Sequence, residues 1–84
     1  MDPILLALSP QAKEFILLLR SLDYLPAPLD ALLTSNLLRN KQENHIFELQ
    51  EVKREASIIL FENKDALSMR MRRFLTKDWN ILFG

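Results

Sequence analysis

The stretch that decides the fold runs from Glu48 to Asn63 and reads ELQEVKREASIILFEN. Leu49, Val52, Ala56, Ile59 and Leu60 recur in it at the i, i+3, i+4, i+7 spacing of one helical face, and Glu51, Glu55 and Glu62 fall on the opposite side. Ile58 and Phe61 break the pattern, because they sit among the acids on the side that should meet water. A helix that is apolar on two sides in its last turns needs cover on both, from another segment or another chain. The stretch therefore predicts a central helix over 48–63 with an unsettled outer edge.

The rest of the composition points the same way. The 84 residues carry 49 % hydrophobic side chains and a single glycine, the terminal Gly84. A chain of this size forms one domain that buries roughly 60 % of its unfolded surface. With no internal glycine for tight hairpins and few β-branched residues, the expected class is all-α, a compact bundle of about four short helices. The absence of cysteine excludes a disulfide framework and a thiolate metal site. Formal net charge is zero, so no global field favours nucleic acid or an anionic membrane. The apolar run Phe15–Leu19 is far shorter than the ~18 residues of a spanning helix. The N-terminus lacks the positive region of a signal peptide, and the expectation is a cytoplasmic protein.

Four helices are predicted, near 10–24, 28–38, 48–63 and 66–80. Ser9-Pro10 signals the first, with Ser9 as cap and Pro10 pre-set for the first helical position. Ala12, Phe15, Leu18, Leu19, Leu22 and Leu25 form its expected buried face, while Leu17 lies on the wet one. Pro26 and Pro28 end that helix, and Pro28 opens a second with Leu29, Leu32, Leu33 and Leu37 inward. Residues 39–44 form a polar loop, and His45-Ile46-Phe47 a brief extended stretch. Asp65 is the expected N-cap of the last helix, in which Leu67, Met71, Phe74, Leu75, Ile81 and Leu82 can share one face. The alternation Met69-Arg70-Met71-Arg72 also suits a strand, but a lone strand is not stable.

The chemistry on offer is slight. The only histidine, His45, lies in a loop, and Asp23, Asp30, Asp65 and Asp78 each stand near a helix end, where a cap or dipole role suffices. Glu51 and Glu55 lack the Glu-x-x-His partner of a di-metal helix. No catalytic set, metal site, cofactor or small-molecule substrate is expected, and the reading is not an enzyme.

The basic cluster is more informative. Lys64, Arg70, Arg72, Arg73 and Lys77 share fourteen residues with one acid, Asp65. These cations can pair with the stripe of Glu51, Glu55 and Glu62, contact phosphates of nucleic acid, or hold the tail on an anionic membrane surface or an acidic protein groove. The tail itself, Trp79 to Gly84, holds four large apolar groups where termini are usually frayed, so it is expected to be docked and can cover Ile58 and Phe61. The leading expectation is a non-enzymatic protein–protein interaction or regulatory module, one that can self-associate as a homo-oligomer. Arg70, Arg72, Arg73, Phe74, Trp79 and Phe83 are its candidate contact residues, with Leu17, Ile58 and Phe61 as further interface candidates. The alternative is a small helical nucleic-acid-binding regulator using the 64–77 cluster.

The helix around Phe15-Ile16-Leu17-Leu18-Leu19, the leucine helix from Leu29, and Phe47-Glu48-Leu49-Gln50-Glu51-Val52-Lys53 running on to Ile59-Leu60-Phe61-Glu62-Asn63 resemble the C-terminal half of the bacterial Smg family. The resemblance spans Lys13 to Asn63 and rests on apolar spacing. It implies a helical, cytoplasmic protein and no activity. Members are about twice as long, and the basic tail from Lys64 has no counterpart, so no site residue carries over. The opening Glu-Leu-x-Glu-Val also suits a winged-helix domain, but no glycine-bearing wing is visible, and a likeness at fold level licenses no function.

Overall fold

The computed structural model describes residues 3–84. Four helices follow one another: α1 (Pro10–Ser21), α2 (Ala27–Arg39), α3 (Leu49–Glu62) and α4 (Met69–Phe83), with short 3-10 turns at Leu5–Ala7 and Lys64–Ala66. The chain is an all-α bundle, and α3 is its hub, packing against α1, α2 and α4. Val52, Ala56, Ile59 and Leu60 of α3 are buried, as their spacing predicts. They meet Ile16 and Leu19 of α1 and Leu33 and Leu37 of α2 in one core. Among the described residues there is no strand; Leu8 and Phe47 form a lone parallel bridge, closed by Ser9 N–H to Phe47 O at 2.9 Å and Phe47 N–H to Ala7 O at 2.7 Å. That bridge ties the N-terminal segment to the α2–α3 loop, and Ile4 of the same segment is fully buried.

Several expectations are corrected. Helix α1 stops at Ser21, three residues before the predicted end. The backbone of Asp23 adopts φ 58°, while Tyr24 N–H reaches Leu19 O at 3.0 Å and Asp23 N–H reaches Arg20 O at 3.2 Å. This is a Schellman stop, in which a residue in the left-handed region satisfies the last carbonyls; aspartate tolerates that conformation better than most side chains. Tyr24 and Leu19, the pair such a stop brings together, are both buried. The buried face of α1 is also turned relative to the prediction. Ile16 is 1 % exposed, whereas Leu18 and Leu22 are exposed, as is Leu17. In α2, which begins at Ala27 with Pro28 in its first turn, Leu32 lies just on the exposed side.

The largest correction concerns α4. Its cap is Ser68, not Asp65, and the Ser68 hydroxyl oxygen accepts from Met71 N–H at 3.1 Å. Residues 64–66 instead make a 3-10 turn, which leaves Leu67 buried and extended before the helix starts. Leu75 and Leu82 are buried and Met71 packs against the core, but Phe74 and Ile81 face water, Ile81 at 81 % exposure. The inward face is turned toward Trp79 and Phe83. Phe83 meets Phe15 edge-on at 5.5 Å, and Trp79 lies 4.5 Å from Phe83. Trp79 and Phe83 thus take the places against the core that Phe74 and Ile81 were expected to hold.

Candidate site at the α3–α4 groove

Helix α3 ends at Glu62, and Asn63 closes it through its backbone N–H and side-chain amide, both directed to Ile59 O. The chain then doubles back through the 3-10 turn into α4. The return leaves a groove of about 490 Å³ between the last turns of α3 and the middle of α4. Leu60, Leu67 and Leu75 are its buried apolar floor; Phe61 and Trp79 form its walls. Lys64, Arg72, Thr76 and Asn80 supply the polar rim. Ile58 lies behind the Phe61 wall, in a shallow depression shared with Trp79. Trp79 thus covers part of what Ile58 and Phe61 expose, yet Phe61 remains 66 % exposed.

The two rim cations are held differently. Lys64 Nζ stands 5.2 Å from the centre of the Phe61 ring, a cation–π contact that orients both side chains. Arg72 Nε donates to Leu67 O at 3.3 Å, which fixes the guanidinium over the turn, and its Nη1 lies 3.7 Å from Asp65 Oδ1. On the outward face, Arg70 stacks on Phe74 at 5.6 Å. Among the described residues, no carboxylate comes within 4.0 Å of Arg70, Arg73 or Lys77.

The expected pairing with the glutamate stripe does not form. Glu51 faces His45, Oε2 to Nε2 at 3.0 Å, and also accepts from its own helix start at Glu48 N–H. Glu55 accepts from Asn36 Nδ2 at 3.1 Å. Both carboxylates are engaged by α2 and by the loop before α3 rather than by α4. The histidine is additionally packed edge-on against Phe47, 4.5 Å away, in a structural role. Asp78 does not serve as a cap; it accepts a hydrogen bond from the Tyr24 hydroxyl, which ties α4 to the turn after α1. That bond, then burial, then the nearby negative charge raise the Tyr24 pKa above the usual tyrosine value.

The six contact residues proposed from sequence are therefore divided by the fold. Arg72 and Trp79 line the groove, beside Phe61. Arg70, Arg73 and Phe74 lie on the exposed outer side of α4, and Phe83 is turned inward against Phe15. Leu17 is on the exposed side of α1, away from the groove-lining set. The groove residues that sequence reading omitted are Lys64, Thr76, Asn80 and the leucine floor. Their signal was the spacing Arg72, Leu75, Thr76, Trp79, which marks one flank of a helix once Trp79 is taken as facing inward.

Among the described residues, no three histidine, aspartate or glutamate side chains converge as a metal site, and no helix is long and apolar enough to cross a membrane. Comparison of the chain with protein families, curated proteins and solved structures found no match.

Proposed function

We propose that this protein is a non-enzymatic protein-interaction module that takes a partner segment in the α3–α4 groove. One observation supports this above the others: Phe61 and Trp79 both line a groove whose buried part is apolar, and an arginine and a lysine line it with them. Tryptophan, aromatic anchors and arginine are the residue types that dominate binding energy at protein interfaces. A concave apolar site with few polar groups is where a partner side chain gains most from leaving water. The test is selection of a random peptide library displayed on phage against the wild-type protein. Enriched peptides are expected to bind wild type and to lose binding to Phe61→Ala. Failure to enrich any peptide sensitive to Phe61 refutes the reading.

A second reading, a small helical nucleic-acid-binding module, is favoured by the outer side of α4. There Arg70, Arg73 and Lys77 have no carboxylate within reach among the described residues. Phosphate contacts release counterions, so binding of duplex DNA or single-stranded RNA through these groups would fall steeply as salt rises. Fluorescence anisotropy at low and physiological salt decides it, and no binding at low salt removes it.

A further inference from the structure

We infer that the groove's partner is an acidic peptide segment anchored by a bulky apolar side chain; this rests on the reading of the groove as a partner site. The rim carries Lys64 and Arg72, and past Arg72 and Thr76 the surface runs on into a shallow depression bordered by Met69, Arg73 and Lys77. No acid is among the residues that line the groove, and the carboxylate paired with its rim is Asp65, whose side chain is 93 % exposed and reaches Arg72 only at 3.7 Å. An exposed pair of that length is weak enough for a partner carboxylate to replace it. Glu62 does not line the groove; it lines the adjoining depression with Ile58, Phe61 and Trp79. The ligand that satisfies both floor and rim has an apolar anchor flanked by carboxylates.

Three other occupants fit less well. A two-fold pairing of this chain through the same surface sets one rim of Lys64, Arg72, Arg73 and Lys77 against another of the same sign, and a two-fold interface must be self-complementary. Single-stranded nucleic acid binds by stacking bases on aromatic faces. Here the Lys64 ammonium already stands over the Phe61 ring, and Phe83 packs against Trp79. A bilayer needs a convex apolar surface to insert, whereas Leu60, Leu67 and Leu75 lie at the bottom of a groove. Carboxylates beside the anchor also steer encounter with a cationic rim and fix register.

The test is to repeat the peptide selection in parallel on wild type and on Lys64→Glu/Arg72→Glu. Because Arg72 also holds Leu67 O, a second variant, Lys64→Glu/Lys77→Glu, leaves that bond intact and guards against a folding defect. Peptides selected on wild type are expected to be rich in Asp and Glu around a Leu, Phe or Trp. They should bind both variants about tenfold or more weakly. Neutral or basic peptides, or binding indifferent to the charge swaps, would overturn the acidic partner while leaving the groove as a peptide site. Absence of any peptide sensitive to Phe61 overturns the groove itself. Binding of a single-stranded oligonucleotide or of phosphatidylglycerol vesicles that is lost in both variants, with no peptide enriched, assigns the rim to phosphate instead.

Discussion

Neighbouring residues at the end of α3 should respond in opposite ways to the same truncation. Leu60 is 1 % exposed and forms part of both the core and the groove floor, whereas Phe61 is 66 % exposed. Leu60→Ala removes buried methyl groups and leaves a cavity, which costs about 3 kcal/mol in comparable cores. For a domain of this size the total stability is on the order of 4–12 kcal/mol, so that one change removes a large share of it. Phe61 retains roughly a third of a phenylalanine's contact area, about 70 Å² of burial, worth at most about 1.8 kcal/mol at 25 cal/mol per Å². Urea unfolding followed by far-UV circular dichroism measures both, with unchanged slopes confirming that the same surface is exposed on unfolding. In peptide binding the effects should be separable: Phe61→Ala keeps the fold and loses the ligand. A Phe61→Ala variant as unstable as Leu60→Ala would mean that the outer side of α3 is covered within the protein, and the groove reasoning would fail.

Three further outcomes follow from the geometry. Ser68→Ala should cost about 1 kcal/mol, as loss of an N-cap does, while Asp65→Ala should change stability by less than about 0.5 kcal/mol; the reverse order would restore Asp65 as the cap. Asp23→Gly should be neutral or slightly stabilising and Asp23→Val clearly destabilising, because the residue at φ 58° closes α1; equal unfolding midpoints for the two would contradict the Schellman stop. Tyr24 has a folded pKa above its unfolded value of about 10, so its contribution is fully present below that pH and is lost as pH rises through the folded pKa. Tyr24→Phe should therefore be less stable than wild type at neutral pH, and the gap should close in strongly alkaline solution. A gap that stays constant across that window would remove Asp78 as the cause.

How much of this was legible in the sequence differs from helix to helix. The buried face of α3 reads cleanly because Val52, Ala56, Ile59 and Leu60 follow one period opposite the acids; Ile58 and Phe61, which break that pattern, stay exposed. Helix α1 offers apolar side chains on most of its circumference from Phe15 to Leu19, and spacing alone cannot say that Ile16 is buried and Leu18 is not. Its end was misread because the prolines at 26 and 28 are conspicuous stop signals, whereas an aspartate in the left-handed region is not. In α4 the difficulty is competition. Phe74, Trp79, Ile81 and Phe83 all qualify for burial, and the choice is made by Phe15 on α1, which pairs with Phe83. The basic cluster is plain in the sequence, but its ion pairs are not, because Glu51 and Glu55 are engaged by His45 and Asn36 instead. As for the likeness of residues 13–63 to the Smg family, we propose no function from it, since it rests on apolar spacing that any small helical bundle can share.

A partner segment that enters the groove beside Phe61 and Trp79 meets the protein's own reporter there. Trp79 is the single tryptophan and forms one wall of the groove. Titration of the wild-type protein with a peptide selected on it should shift Trp79 emission to shorter wavelength and saturate at one peptide per protein, with no such shift for Phe61→Ala. Saturable binding of that peptide by calorimetry, with Trp79 emission unchanged, would place the partner elsewhere on the molecule and contradict the account.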